Sequence, residues 1–137
     1  MSSFRIFDIA GSGMSAQSVR LNTVASNLAN AESISGDPAQ VYRAKHPLFQ
    51  AIQAGAADAA SSGVRIAGIA ESTAEPQRRY EPGNPLADAA GYVYAPSVNV
   101  VEEMVDMISA SRAYQNDVEV LNTARNLMLA TLKLGQS

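Results

Sequence analysis

Cysteine and tryptophan are absent from this 137-residue chain, and it holds only three Phe, five Tyr and one His. Without cysteine there are no disulfides, no Cys-ligated zinc and no thiol catalysis. The scarcity of large aromatics argues against a thick globular core. The 47% hydrophobic content overstates the case, because alanine is the commonest residue and buries little area per side chain. Slender helix-on-helix packing suits such a composition better. Neither sign of charge dominates: 10 basic and 13 acidic residues leave a net charge of −3, and Arg78–Arg79 is the densest basic pair. Nucleic-acid binding needs a clustered cationic face, so no nucleic-acid partner is expected. No stretch approaches the roughly 20 apolar residues of a membrane span, so direct membrane insertion is not expected. The opening MSSFRIFDIAGSGMSAQS lacks the apolar run of a secretory signal. If the protein is exported, no cleaved signal peptide is expected.

Against these absences stand two long stripes. From Asn99 to Leu134 there is neither Pro nor Gly. Val100, Met104, Met107, Ser111, Tyr114, Val118, Leu121, Arg125, Met128 and Leu132 recur alternately four and three apart, a heptad rhythm broken only by Ser111 and Arg125. Phe7, Met14, Leu21, Val24, Leu28 and Ala31 form a matching run. The spacing predicts helices over roughly Ser3 to Ala31 and over Asn99 to Leu134. Gly11 and Gly13 would mark a kink or a close helix approach. Asn27 and Asn30 suit termination of the first helix, since Asn tolerates the left-handed cap. Pro96, then Asn99 as N-cap with Glu102 three residues on, opens the second. At 1.5 Å per residue that helix would span about 54 Å.

Between them the character changes. Gly36-Asp37-Pro38 signals a turn, and Tyr42 to Ile52 reads as strand or loop interrupted by Pro47. Ala54 to Gly63 has the composition of a flexible connector. Val64-Arg65-Ile66 and Tyr92-Val93-Tyr94 favour strand, and Pro82-Gly83 suits a type II turn. The expected organisation is an N-terminal helix over 1–32, a flexible linker with a small β-containing insert over 33–96, amounting to one hairpin, and a C-terminal helix over 97–137 packing on the first. The expected fold class is mainly α, a coiled-coil-like hairpin.

Such stripes want partners. Ordering the second helix costs roughly 1–2 kcal/mol per residue, and its backbone hydrogen bonds contribute little net. Burial of each apolar stripe residue returns on the order of 1.5–3 kcal/mol. A two-helix hairpin still leaves the flanks Val101, Val105, Ile108, Val120, Leu127, Leu129 and Leu134 wet. The expected subunit interface is Phe7, Met14, Leu21, Val24, Asn27, Leu28, Asn30, Val100, Met104, Met107, Tyr114, Val118, Leu121, Met128 and Leu132. The small polar line Ser15, Ser18, Asn22, Ser26 and Asn30 is either a solvated face or hydrogen-bonds between tightly packed subunits.

SGMSAQSVRLNTVASNLANAES, at residues 12–33, resembles the N-terminal signature of bacterial flagellar axial proteins of the rod and hook class. NVVEEMVDMISASRAYQNDVEVLNTARNLMLATLKLG is similar to their closing helix. The FRIFDIAGSGM opening and YEPGNPLADAAGYVYAPSVNVVEEM most resemble the proximal-rod members. Ser12, Gly13, Met14, Arg20, Leu21, Asn27, Leu28, Ala29 and Asn30 match the first motif. Glu103, Met104, Ala113, Tyr114, Gln115, Val118 and Asn122 match the second, with Asp117 in place of a small or polar residue. The Pro-Gly-Tyr-Arg-Arg stretch of relatives is replaced by Tyr42-Arg43 after a longer Ser33 to Val41 segment. The resemblance implies a structural rod subunit of the basal body, polymerising through its terminal helices into a drive shaft that crosses the periplasm. Its implied partners are copies of itself, other rod proteins and the flagellar type III export apparatus.

The alternative is a soluble helical-hairpin adaptor or chaperone of a secretion system. An enzyme is not expected. Glu102, Glu103 and Asp106 read as helix-dipole partners, since a helical di-metal site would need Glu-x-x-His on two helices and His46 lies in the insert. Ser12 is no nucleophile elbow, and Gly11-Ser12-Gly13 no phosphate loop. No catalytic residue, metal or cofactor is expected. Arg125 in the stripe either sets register against a partner carboxylate or snorkels to the rim. Circular dichroism of the purified monomer should show incomplete helix at the chain ends; a fully helical, cooperatively melting monomer would contradict the need for partners.

Overall fold

The computed structural model describes residues 3–53 and 62–135. In chain order these form α1 (Ser3–Asn30), a 3₁₀ turn (Pro38–Gln40), β1 (Lys45–Gln53), β2 (Ser62–Glu71), β3 (Gln77–Tyr80), β4 (Tyr92–Ala95) and α2 (Val100–Leu134). Among the described residues helix accounts for 53% and strand for 22%, which makes the fold α+β. The mainly α expectation is thereby corrected. Two antiparallel hairpins, β1–β2 and β3–β4, stand where one small insert was expected. Their sequences, KHPLFQAIQ and SGVRIAGIAE among them, are diluted with Ala, Gly and Gln, so apolar alternation is faint. Of the expected connector, Ser62 and Gly63 already belong to β2, while residues 54–61 lie outside the described residues.

Helix α1 is the central element, with α2 packed on one side and the β1–β2 hairpin on another. The helices are antiparallel: Arg20 ion-pairs with Asp106 at 2.8 Å, and Gly13 faces Asp117. The hairpin is tied to α1 at two points. Near the end of the helix the fully buried Asn27 carboxamide donates to the Lys45 carbonyl at 2.9 Å and accepts from the Lys45 N–H at 2.8 Å. Its Oδ1 also accepts from the Tyr42 hydroxyl at 2.8 Å. About four turns earlier, the Ser12 hydroxyl accepts from the Val64 N–H at 3.0 Å and donates to the Ile9 carbonyl. Val64 pairs with Ala51, so Lys45 to Ala51 covers about 20 Å of strand. Ser12 to Asn27 covers about 22 Å of helix. The matching lengths lay the hairpin along α1.

Asn27 is thus no helix cap. A side-chain amide carries the same donor and acceptor as a peptide group, and it completes the ladder of β1 where no strand is available. The bulge between Leu48 and Phe49, opposite Ala67, leaves β2 with alternating burial, Val64 and Ile66 turned inward and Arg65, Ala67 and Ile69 outward.

On α2 half of the expected seam is displaced by one residue. Met107, Tyr114, Leu121 and Met128 are half-buried as expected, but the most buried line is Glu103, Ala110 and Ala124, with Asp117 between the alanines. Val100, Met104, Arg125 and Leu132 are exposed. The reason is distance: antiparallel helices meeting through Ala10, Gly13, Ala110 and Ala124 approach closely, and larger side chains turn to the flanks. Asn99 caps α2 as expected, accepting from the N–H groups of Val101 and Glu102.

Hairpin β3–β4 is anchored by the Ser35↔Tyr94 bridge and by Val93 and Ala95, both fully buried. Its loop turns at Pro82-Gly83, closed by the Asn84 N–H to Glu81 carbonyl bond. Gly83 does not take the positive φ a type II turn requires; Gly91, at φ 83°, does. Asp88 organises this loop. Its carboxylate accepts from the Tyr92 and Ala90 N–H groups and the Tyr94 hydroxyl, and these bonds, the Tyr92 N–H foremost, hold its pKa below the ordinary value.

Asn27→Ala would strand the Lys45 peptide and the Tyr42 hydroxyl in a buried site. Each orphaned group costs about 1–3 kcal/mol, so a loss of about 2–4 kcal/mol in unfolding free energy is expected by chemical denaturation. A change below about 0.5 kcal/mol would show that water replaces the amide.

Candidate assembly surface

The buried apolar residues are small: Ala10, Ala16, Ala31, Ala44, Ala95, Ala110 and Ala124, with Val24, Val41 and Val93. The large ones lie outside. Along α2 the exposed set is Val100, Val101, Met104, Val105 and Ile108 in the first half, then Val120, Leu127, Leu129, Leu132 and Leu134. Arg112, Gln115, Asn116 and Glu119, all exposed, separate the two stretches. Every flank residue that the sequence left wet is indeed exposed.

The last part of α2 projects. In the antiparallel pairing Arg20 meets Asp106, Gly13 meets Asp117, and Ile6 shares a shallow apolar groove of about 430 Å³ with Val120, Thr123, Ala124 and Leu127. Continuing that register, α1 runs out near Leu127. Leu129, Leu132 and Leu134, which is 77% exposed, lie beyond it.

The expected interface residues divide into two groups. Val24 and Asn27 are buried within the chain, and Phe7, Met14, Leu21, Leu28, Asn30, Met107, Tyr114, Val118, Leu121 and Met128 are half-buried. Val100, Met104 and Leu132 are exposed. On the Ser/Asn line, Ser15, Ser18 and Asn22 are exposed, while Ser26 meets Tyr42 and Asn30 donates to the Ser26 carbonyl. Sequence reasoning missed Phe4, Leu48, Phe49, Ile52 and Ile69, all exposed. The apolar run in Leu48 to Ile52 was the available signal.

The acidic cluster separates too. Asp106 pairs with Arg20, Glu102 is exposed and Glu103 is buried. Among the described residues no three His, Asp or Glu side chains are grouped so as to hold a metal ion. No helix among them is long and apolar enough to cross a membrane.

Comparison with known proteins gives two family matches. The family described as "Flagella basal body rod protein" matches residues 7–32, and "Flagellar basal body rod FlgEFG protein C-terminal" matches residues 89–134. Among curated proteins, the flagellar basal-body rod protein FlgC of Escherichia coli O6:H1 is 57% identical over 99% of this chain and its own full length. FlgC of Salmonella typhimurium is 56% identical over the same shares. FlgC of Buchnera aphidicola subsp. Schizaphis graminum is 42% identical, again over 99% and 100%.

Where α1 and α2 come closest, an added Cβ on Gly13 would stand 2.6 Å from the Asp117 carboxylate. Burial pushes the Asp117 pKa above its ordinary 3.8. The folded chain therefore holds that proton more tightly than the unfolded chain. The ionised group costs stability near neutral pH, and the cost is relieved as pH falls through the raised value toward 3.8. Asp117→Asn is expected to raise the melting temperature near neutral pH, with wild-type and variant curves converging toward about pH 4. Parallel curves across that range would show that Asp117 is fully solvated.

Proposed function

The chain belongs to the flagellar basal-body rod protein family and is a structural subunit of that rod; from this premise we propose that it polymerises through the uncovered faces of its terminal helices. The observation that carries the reading is the apolar outer face of α2, with its end projecting past α1. Association costs roughly 4–15 kcal/mol in lost freedom, while each large apolar side chain fully buried returns roughly 1.5–3 kcal/mol. Four to six of these residues suffice on that scale. The soluble adaptor or chaperone reading finds no support in relatives that match along their whole length as rod proteins.

In this reading α1, with the β1–β2 hairpin tied along it, is the stiff part of the subunit, and α2 is the strip that meets neighbours. The subunit joins copies of itself and other rod proteins in the proximal part of the rod, within the periplasm. It arrives through the flagellar type III export apparatus without a cleaved signal. Its work is mechanical: torque passes through packed helices, and no catalytic step or cofactor is involved. The expected interface residues then share the task. Val24 and Asn27 hold the subunit's own shape, while Val100, Met104 and Leu132 contact others.

Deleting Leu127 to Ser137 removes the projecting end and spares the Arg20–Asp106 and Gly13–Asp117 contacts. The truncated chain is expected to stay folded but to be missing from isolated basal bodies, with motility lost on soft agar. Normal incorporation of the truncated chain would contradict the assembly role of this end.

A further inference from the structure

The start of α2 lines an open groove of about 550 Å³, whose lining includes His46, Ser72, Gln77, Ser97, Val98 and Glu102. Glu103 also lines it. That residue is only 6% exposed, and its Oε2 is buried without a hydrogen-bond partner. A carboxylate removed from water needs compensation. The capped first turn of α2 supplies part of it through the helix dipole, but no donor reaches Oε2. A cation would supply it: His46 lines the same groove but makes no hydrogen bond to Oε2, and grouped metal ligands are absent among the described residues. A guanidinium suits the place: it carries five donors, tolerates partial burial, and would find side-chain oxygens on Ser72, Gln77 and Ser97.

At least four of the chain's eight guanidinium groups are committed. Arg20 pairs with Asp106, Arg43 donates to the Ser72 and Ala74 carbonyls, Arg65 donates to Gln50, and Arg78 lies over the Tyr92 ring. Arg125 is exposed, forms no ion pair among the described residues, and stands near the projecting end of α2. The exposed Leu129 and Leu132 lie four and seven residues further on, an apolar flank to meet Val98, Val100 and Val101 at the groove. Arg79 and Arg112 are exposed too, but Arg79 stands in strand β3 rather than on an apolar helix flank, and Arg112 has the apolar Ile108 on one side only, with Gln115 and Asn116 on the other.

We propose that the groove at the start of α2 receives the Arg125 guanidinium of a neighbouring copy of this chain, which pairs with Glu103. The two residues lie about 33 Å apart along one helix, so they cannot meet within a chain. The contact is therefore head-to-tail and need not close, as an open-ended assembly requires. It rests on the assembly reading above and adds the charge pair that sets the stagger of one copy against the next.

The test uses basal bodies isolated from cells that express the full chain. With Arg125→Lys, which keeps the charge, carbodiimide coupling followed by mass spectrometry is expected to yield an amide between position 125 of one copy and Glu103 of another. Glu103→Gln, separately, is expected to lower incorporation by on the order of tenfold or more. The purified Glu103→Gln chain should melt at the same temperature or higher, because a buried unpaired charge has been removed. Incorporation of Glu103→Gln at the wild-type level overturns the proposal, and if the tail deletion still blocks incorporation, the assembly face itself stands. Coupling of Glu103 only to a lysine of a different protein overturns it as well. So does loss of fold in Glu103→Gln, which would assign the carboxylate to the chain's own framework.

Discussion

A single carboxamide joins the two kinds of secondary structure in this chain. Asn27 has no exposed surface, and all its bonds go to a segment 15 to 18 residues later. Because it imitates a peptide group, it fixes both the height and the facing of β1 against α1. Register then propagates: once Lys45 is placed, Glu71 opposite it is placed, and β2 arrives at Ser12 with its Val64 N–H in reach. A larger apolar contact would hold the hairpin with comparable strength but would let it slide. Hydrogen bonds at both ends do not.

The division of labour between the helices follows from side-chain size. Alanine and glycine where α1 crosses α2 let the axes approach, and Asp117 fills the space left by Gly13. That closeness expels the bulky residues of α2 to its outer sides, where they become available to neighbours. A subunit with leucines in that seam would be a better monomer and a worse building block. On the assembly reading proposed above, the apolar material offered to neighbours is material this chain withholds from its own interior.

Much of the helical frame was legible. Asn99 announced its cap, and Met107, Tyr114, Leu121 and Met128 gave the inner line away because they are large and seven apart. Ala110 and Ala124 gave no signal, since alanine is common on every face of a helix, and so the seam was misjudged by one residue on alternate turns. The exposed flank from Val101 to Leu134 was readable as surplus: it exceeded what one partner helix could cover. The sheets were readable only in part: Val64-Arg65-Ile66 and Tyr92-Val93-Tyr94 mark β2 and β4, but β1 and the full length of β2 draw their order from α1 rather than from strong alternation of their own. A late asparagine such as Asn27 commonly terminates a helix, and nothing local to it in the sequence indicates a partner in β1. In sequence Glu103 is an N-terminal charge like Glu102; only burial distinguishes the two, Glu103 being enclosed and Glu102 exposed.

The alanine-and-valine interior has a thermal consequence. The heat-capacity change on unfolding tracks apolar surface brought into water, and small side chains that were barely hidden bring little. Such a protein has a shallow, broad stability curve, with little to gain at its optimum and little to lose some tens of degrees away. For a part that must behave alike in cold and warm surroundings, a modest but level curve serves better than a tall, narrow one.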